Sequence, residues 1–407
     1  TKINRISFTE ELILMKISET TTIGFSSAGH TLCHLLTLLF PTVLLALEVE
    51  LGLSFKELAT LAVPGAFLFG AGALPAGWLG DRWRKTTLLE IYFYGTGAMS
   101  ILTGFAQTPL MLAVGLAGIG IFASIYHPVG MSWLVSRTSK TGTALGFNGL
   151  FGSIGFFFAP LVAGTLTGLW SWRAAFFVPG IVCLVVGFLF SISLRTILKD
   201  EETPMQKIVS GSNSPNSIWM TFGLMSVALF FSGMFHQIIQ FSLPKNFDLR
   251  VLFTSGSLLG TGSMVALVYA AGAVGQLLCG RMADRFSERQ LYLTLFLITV
   301  PLVALASQLT EIPLVLIMML VVFLSAGALP VENTLLVRYV PSHRHGLFFG
   351  MKFLLGFGFA ASGIYLSGWI FDLTGSFLWL YGLLVLLASS VAAIAFFLPG
   401  QRVLQPA

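Results

Sequence analysis

The residues of this chain that could do chemistry are a few polar side chains inside long apolar stretches. Two sets recur at helical spacing: His30, His34 and Thr37 (i, i+4 and i+7) in the first stretch, and Ser232, His236 and Gln240 (i, i+4 and i+8), with Gln237 adjacent, in the seventh. This spacing places each set on one face of a helix. A polar group in apolar surroundings is costly without a partner, so each set needs a bonding partner or a function. We expect both faces to line one cavity and to bind a substrate.

Four further stretches add candidates: His127 in the fourth, Asn148 in the fifth, Glu332 and Asn333 in the tenth, and Lys352 in the eleventh. We predict that these residues join the same substrate-binding chamber. Glu332 is the predicted proton carrier and His127 a second one, while Lys352 would attract an anionic substrate group. The alternatives are structural. Each histidine could bond a backbone carbonyl, and Glu332 and Lys352 could form a buried ion pair.

Composition assigns the chain to lipid rather than water. Of its 407 residues, 56% are hydrophobic and 10% are charged, against roughly 25% charged in a soluble domain. Continuously apolar stretches of roughly 20 residues, enough for a helix to cross a bilayer, recur along the whole chain. The prediction is an all-α polytopic membrane protein with twelve spans: 21–47, 56–79, 87–106, 109–136, 142–168, 172–194, 217–246, 257–282, 290–308, 312–340, 346–371 and 376–398.

Basic residues predict the orientation, because loops rich in Lys and Arg stay cytoplasmic. Most of them fall beside both termini and in the even-numbered loops, and the opposite side holds Lys56, Arg173, Lys245 and Arg250. We therefore expect an integral protein of the bacterial inner membrane with both termini in the cytoplasm. The net charge of +5 reflects this topology. Nucleic-acid binding is excluded, since no basic run lies on a soluble domain.

The sequence repeats itself at an offset of about 200 residues. Gly77, Asp81 and Arg82 correspond to Gly280, Asp284 and Arg285, His127-Pro128 corresponds to Leu329-Pro330, and Gly146 and Asn148 correspond to Gly350 and Lys352. Duplication predicts two six-helix bundles with a substrate site where they meet. The predicted segments are an N-terminal cytoplasmic segment (1–20), a first bundle (21–194), a linker (195–216), a second bundle (217–398) and a cytoplasmic tail (399–407).

Two prolines follow the polar faces of the first and seventh spans at similar distances. They are Pro41 and Pro244. Proline removes a backbone donor and clashes with the preceding turn. We therefore predict that both helices break at matching heights.

Two loops resemble the loop signature of the major facilitator superfamily: Gly77 to Lys85, and its second copy, Gly280 to Arg289. The resemblance covers the full chain and implies the twelve-helix major facilitator fold, with alternating access to a central site. It also implies a gating latch formed by Asp81, Arg82, Asp284 and Arg285. The loops depart from the family pattern, because a usual glycine is missing after Arg82, and Ser287 and Glu288 stand where Gly and Arg are expected.

The fifth span resembles the family's antiporter motif at Gly146, Gly155, Pro160 and Gly164, with Ala at two positions that usually hold Gly. Small residues allow close helix packing, and a generic packing face is the alternative. The resemblance implies exchange of substrate for protons. A narrower likeness to the fosmidomycin-resistance branch of the superfamily lies in Cys33-His34-Leu35-Leu36 and Tyr126-His127-Pro128, although that branch commonly has an acid after the His-Pro pair.

Two functions follow from these residues. The first is proton-coupled export of a small organic molecule, anionic or amphipathic, by a monomer that needs no cofactor. The second is transport of a transition-metal ion by His30, Cys33 and His34, with His127 and His236 as further ligands. An enzyme is not expected, because there is no phosphate-binding loop and no Ser, His and Asp arrangement. The lack of a nucleotide site indicates that energy comes from an ion gradient.

Overall fold

The computed structural model describes residues 8–196, 215–339 and 345–399. Parts of the predicted N-terminal segment (1–7), linker (197–214) and tail (400–407) lie outside the described residues. Within these ranges the regular structure is helical: α1 Phe8–Thr37, α2 Phe40–Leu51, α3 Phe55–Ala71, α4 Ala73–Gly80, α5 Lys85–Gly104, α6 Pro109–Ala123, α7 Met131–Ser136, α8 Thr141–Leu169, α9 Trp172–Thr196, α10 Pro215–Arg250, α11 Leu258–Ala283, α12 Glu288–Ala306, α13 Glu311–Tyr339, α14 His345–Phe353, α15 Ser362–Thr374 and α16 Leu378–Phe397. Two π-helical turns, Tyr126–Gly130 and Leu354–Gly358, and a 3₁₀ turn, Phe359–Ala361, continue two of the spans.

The prediction of an all-α membrane fold is confirmed. In the described part of the chain, eleven helical segments are long and apolar enough to cross a membrane. The remaining predicted span, 87–106, is also a helix, α5, but it does not reach the same apolar level because its first turns carry Lys85 and Glu90. It packs against α6 and α9.

Helices α1–α9, which we call the N-terminal half, pack mainly among themselves, and α10–α16, the C-terminal half, do the same. Between the halves, α8 packs on α11, α3 on α15, and α2 on α10. Matching contacts recur in the two halves. A Cβ added to Gly77 would touch the ring of Pro128 at 3.4 Å, and one added to Gly280 would touch the ring of Pro330 at 3.8 Å. The pairs aligned in the sequence repeat therefore make the same packing contact in each half.

The prediction of two matching proline breaks holds for one helix only. The first span breaks between α1 and α2, with Pro41 at the start of α2. In the seventh span α10 continues through Pro244. Pro244 leaves the carbonyl of Gln240 without its helical donor, and the Tyr269 hydroxyl donates to that oxygen at 3.4 Å. This replacement bond explains why α10 tolerates the proline.

Candidate functional site

A cavity of about 80 Å³ lies between the two halves near the middle of the helices. Its polar lining comes from both predicted faces, His34 and Thr37 on α1 and Gln237 and Gln240 on α10. Its apolar lining includes the aromatic rings of Phe69, Phe156, Phe241 and Phe357. The two polar faces thus meet at one cavity, and no acidic side chain is among the described residues that line it.

A second cavity, of about 40 Å³, adjoins the first and shares Phe156 and Gln240 with it. It is lined by His236, Tyr269 and Gln276. The Nδ1 of His236 lies 2.7 Å from the Ser232 carbonyl, so Nδ1 carries the proton. Its buried Nε2 has no hydrogen-bond partner among the described residues.

A buried polar network fills the N-terminal half behind the cavity. Asn148 is fully buried, and its amide nitrogen donates to Ser26 Oγ at 2.9 Å and to the Tyr126 hydroxyl at 2.8 Å. The Tyr126 hydroxyl in turn donates to the Ser26 carbonyl at 2.6 Å. These bonds orient the Asn148 amide so that its oxygen points to His30. Asn148 thus acts on α1 rather than lining either cavity.

Three histidines meet at the edge of this network. The Nδ1 of His30 lies 2.9 Å from both the backbone oxygen and the Oδ1 of Asn148, which are acceptors, so Nδ1 carries the proton. The His30 Nε2 then accepts from the His34 Nε2, 3.2 Å away. His127 lies in the π-helical turn, and the nearest ring nitrogens of the three histidines all lie within 4.8 Å of one another. The buried Nε2 of His127 has no hydrogen-bond partner within the described part of the chain.

A buried ion pair occupies the corresponding level of the C-terminal half. The Lys352 Nζ lies 2.7 Å from Glu332 Oε1, and it also donates to Asn333 Oδ1 at 2.6 Å. The other carboxylate oxygen of Glu332 accepts from the Tyr292 hydroxyl at 2.9 Å. The side chains of Glu332 and Lys352 are 3% and 11% exposed. The predicted proton carrier and the predicted anion attractor therefore neutralise each other in this state.

The ion pair is linked to the cavity by the residues that follow Lys352. Phe353 stacks on His127 of the other half, with ring centroids 5.1 Å apart, and Phe357 lies against Phe353 and lines the cavity. Position 352 corresponds in the repeat to Asn148, which is neutral and hydrogen-bonded. The two corresponding positions thus differ: Asn148 belongs to a neutral polar network in the N-terminal half, and Lys352 belongs to a charged pair in the C-terminal half.

The predicted gating loops do not form a latch in this conformation. Asp81 and Asp284 are exposed, and neither reaches a basic group within ion-pair distance among the described residues. The guanidinium of Arg82 lies over the ring of Trp78, 4.1 Å from its centroid. Near the second loop, Arg338 pairs with Glu288 at 2.6 Å. The gating role of Asp81, Arg82, Asp284 and Arg285 stays a prediction.

The antiporter-motif residues line a helix that packs closely at some of these positions only. A Cβ on Gly155 would come within 2.5 Å of the Thr31 carbonyl oxygen, and one on Gly164 would overlap the carbonyl of Leu258 in the other half. Gly262 of α11 packs in the same way on the carbonyl of Pro160. Gly146 faces open space. The α8–α11 contact between the halves is thus tight near Gly164, and Gly146 makes no close contact.

The end of the bundle that contains residues 52–54 and 375–377, which the basic residues predict to be extracellular, is called the outer end. It is closed by contacts between the halves. Lys245 pairs with Glu48 at 2.6 Å, and the Lys56 backbone N–H donates to Asp372 at 3.3 Å. Phe55 packs against the rings of Phe241, Phe371 and Phe377. The cavity is therefore shut off from this side.

We expect Lys245→Met to loosen the outer end. Its ion pair with Glu48 leaves the two side chains 15% and 16% exposed, so it is shielded more than a surface pair worth about 1 kcal/mol or less. Losing it should shift the closed-to-open equilibrium by about tenfold. The measurement is labelling of a cysteine placed at Thr37 by a membrane-impermeant maleimide added from outside.

The matched control is Arg173→Met. Arg173 pairs with Glu50 at 3.0 Å at the same end, but both residues belong to the N-terminal half. Labelling should therefore stay at the unsubstituted level. Equal labelling in the two variants would show that the Lys245–Glu48 pair does not hold the halves together.

Some residues of the site do not stand out in the sequence. Two of them are uncharged residues of apolar stretches, which no sequence pattern marks as part of the site. They are Tyr292, which bonds Glu332, and Ser26, which bonds Asn148. The pairing of Lys245 with Glu48 joins residues far apart in the chain. A paired search for opposite charges at the ends of the first and seventh spans would have found it.

Comparisons with known proteins agree with this architecture. The family model described as "Major Facilitator Superfamily" matches residues 28–268 and 225–406. The chain is 25% identical over 317 residues to the multidrug resistance protein MdtG of Proteus mirabilis (strain HI4320), covering 74% of this chain and 76% of that protein. It is 24% identical over 283 residues to MdtG of Escherichia coli (strain K12 / DH10B), covering 67% of each chain.

Solved structures match over nearly the full length. An inward-facing, unoccupied bacterial homolog of the human lysosomal transporter Spinster superposes with a TM-score of 0.70 at 15% identity, covering 94% of this chain and 95% of that one. The occupied form of that homolog gives a TM-score of 0.71 at 17% identity, covering 93% and 94%. At these identities the match concerns the fold alone.

Proposed function

The chain belongs to the major facilitator superfamily, and from this premise we propose that it is a proton-coupled exporter that exchanges a small amphipathic molecule for protons. As a member of this family it is a membrane transporter of small molecules. The proposal adds the coupling ion, the direction and the substrate class. We also propose that it acts as a monomer in the bacterial inner membrane, with both termini cytoplasmic.

The observation that carries the proposal is the buried Glu332–Lys352 pair. A carboxylate inside a membrane protein is expensive, and it is tolerated where it pairs or carries a proton. Here the Glu332 carboxylate pairs with Lys352. Protonation would break this pair, because a neutral Glu332 no longer holds the ammonium group of Lys352. One proton thus switches the C-terminal half between a paired and an unpaired state, and Phe353 and Phe357 connect that switch to the cavity.

Antiport requires that proton and substrate exclude each other. An anionic group would compete with Glu332 for Lys352, and so would favour protonation of Glu332. Proton and anion would then travel together. A neutral or cationic amphipathic molecule that binds best while Glu332 is ionised is instead displaced by the proton. Because Lys352 is paired with Glu332, it no longer argues for an anionic substrate. The pair instead favours a neutral or cationic amphipathic substrate.

The cavity supports the same substrate class. Phe69, Phe156, Phe241 and Phe357 offer apolar walls, and Gln237 and Gln240 offer amide groups that can donate or accept a hydrogen bond. A concave site with aromatic walls and few polar groups suits a small organic ligand. The name of these relatives, multidrug resistance protein, is in line with such substrates.

Lys352→Asn tests the proposal, since asparagine is the residue at the corresponding position of the first half. Without its cation, a buried carboxylate costs about 3–5 kcal/mol, so Glu332 should stay protonated and no longer exchange. We expect gradient-driven transport of fluorescent amphipathic dyes into inverted proteoliposomes to fall by about tenfold or more.

The matched control is Lys245→Arg, which keeps a cation in a pair outside the ion-pair site. It should transport like the unsubstituted protein. Unchanged gradient-driven transport in Lys352→Asn would contradict the proposal.

A further inference from the structure

We infer that His30, His34 and His127 form a binding site for one borderline transition-metal ion of the zinc class in the N-terminal half. This site is separate from the Glu332–Lys352 pair, and it does not depend on proton coupling. Three features of the described residues support it: the spacing of the ring nitrogens, the partner that orients His30, and an approach from the cavity.

The nitrogen spacing fits a metal. In a tetrahedral zinc site with Zn–N bonds of about 2.0–2.1 Å, two ligand nitrogens lie about 3.3 Å apart. The Nε2 atoms of His30 and His34 lie 3.2 Å apart. The ligand nitrogens of all three histidines lie within 4.8 Å of one another, so a modest rotation of His127 would complete the set. His127 Nε2 is the one available for this, because it is buried and has no hydrogen-bond partner in the described part of the chain.

The second feature is the orientation of His30. A histidine that binds a metal usually donates its other ring N–H to a carbonyl or carboxylate, which fixes its tautomer. The Nδ1 of His30 does this with both oxygens of Asn148, which the Tyr126 hydroxyl and Ser26 hold in place. Its Nε2 lone pair therefore points at His34. To bind alongside it, His34 needs only to move its proton from Nε2 to Nδ1.

Aromatic rings pack against the other two ligands. His34 packs against Phe156 with centroids 4.3 Å apart, and His127 stacks on Phe353 at 5.1 Å. His127 stands in a π-helical turn, an irregularity that often marks functional positions in helices. His34 also lines the central cavity, which gives an ion a path of entry and leaves room for a fourth ligand such as water.

The chemistry of the ligand set selects the metal. Three neutral imidazoles suit zinc, copper, nickel and iron, whereas magnesium and calcium prefer oxygen ligands. Three histidines with a fourth open position are the arrangement of a zinc site that keeps an exchangeable ligand. Cys33 does not join, because its Sγ points to the Ala123 carbonyl at 3.7 Å. His236 belongs to the other half. Of the five candidate metal ligands in the sequence, three therefore remain: His30, His34 and His127.

Cobalt(II) is the optical probe for the test, because it substitutes for zinc. The full chain, purified in detergent with an affinity tag free of histidine and stripped with a chelator, is titrated with Co²⁺ and then with Zn²⁺. We expect one Co²⁺ per chain with the visible absorption of a tetrahedral site, and its displacement by Zn²⁺. His34→Ala and His127→Ala should abolish the absorption, and Asn148→Ala should weaken binding by about 10–100-fold.

Cys33→Ala is the matched control, since it removes a soft potential ligand that lies about one turn after His30 and directly before His34, and it should leave binding unchanged. A second readout guards against loss of folding. Zn²⁺ should raise the Tm of the unsubstituted protein and of Cys33→Ala, and should leave the Tm of the two histidine variants unchanged. Absence of a stoichiometric tetrahedral Co²⁺ spectrum would overturn the inference. So would binding that survives both histidine substitutions, or that is lost in Cys33→Ala.

Discussion

Glu332→Gln is expected to separate transport from the proton gradient. Glutamine imitates the protonated carboxyl and cannot release a proton, so the C-terminal half stays in its unpaired state. Accumulation of an amphipathic dye driven by an imposed pH gradient should fall by about tenfold or more. Exchange of labelled for unlabelled dye, with equal pH on both sides, should continue, because it requires the cavity and the movement of the halves but no proton transfer.

Glu90→Gln is the matched control for this variant. Glu90 is a carboxyl on α5 of the other half, where it accepts a hydrogen bond from Ser191 at 2.6 Å. Its removal should leave both gradient-driven accumulation and exchange in place. If Glu332→Gln kept its response to the pH gradient, Glu332 would not be the proton carrier. If both activities were lost together, the Glu332–Lys352 pair would be structural.

Gly164→Val is expected to have the second largest effect. A Cβ added to Gly164 would overlap the carbonyl of Leu258 in the other half, which is backbone and cannot rotate away. Overpacking of this kind costs about 1–3 kcal/mol, and here it would wedge α8 from α11 at the contact between the halves. We expect a lower Tm in detergent and a loss of both gradient-driven transport and exchange.

Gly146→Val is the control on the same helix. Gly146 belongs to the same antiporter-motif resemblance, but a Cβ there has nothing within 4 Å. Its Tm should match that of the unsubstituted protein. Equal damage in the two variants would show that the motif acts through helix propensity rather than through the α8–α11 contact.

The fold could be predicted from the sequence because a lipid environment permits few backbone structures. Apolar stretches of sufficient length in lipid must be helical, since each backbone group has to find its partner within its own segment. The repeat then aligned residues that make equal contacts, as Gly77 with Pro128 and Gly280 with Pro330 do. The break at Pro41 followed from local chemistry. The continuity of α10 through Pro244 could not be predicted from local chemistry, because it depends on the hydroxyl of Tyr269 on another helix.

The site could be predicted in part, for a similar reason. The helical spacing of the two polar sets placed His34 and Gln240 on cavity-facing helix faces, which the helix period alone determines. The spacing of residues could not predict which charged side chains pair with each other. Lys352 looks like an anion attractor in the sequence, yet it is neutralised by Glu332, and which residue it meets depends on how α13 and α14 pack. His30 and His127 are not in the cavity lining: Asn148 holds His30 by hydrogen bonds, and His127 stacks on Phe353.

The central claim, exchange of substrate for protons, is tested most directly by measuring proton flux driven by substrate. Proteoliposomes that contain a pH-sensitive dye in their lumen are loaded with an amphipathic substrate and diluted into substrate-free buffer at equal pH. We predict that the substrate leaving the lumen drives protons in, so the lumen acidifies, and that Glu332→Gln abolishes this change while substrate still exchanges. Outflow of substrate with no change in luminal pH, or with alkalinisation of the lumen, would contradict the account.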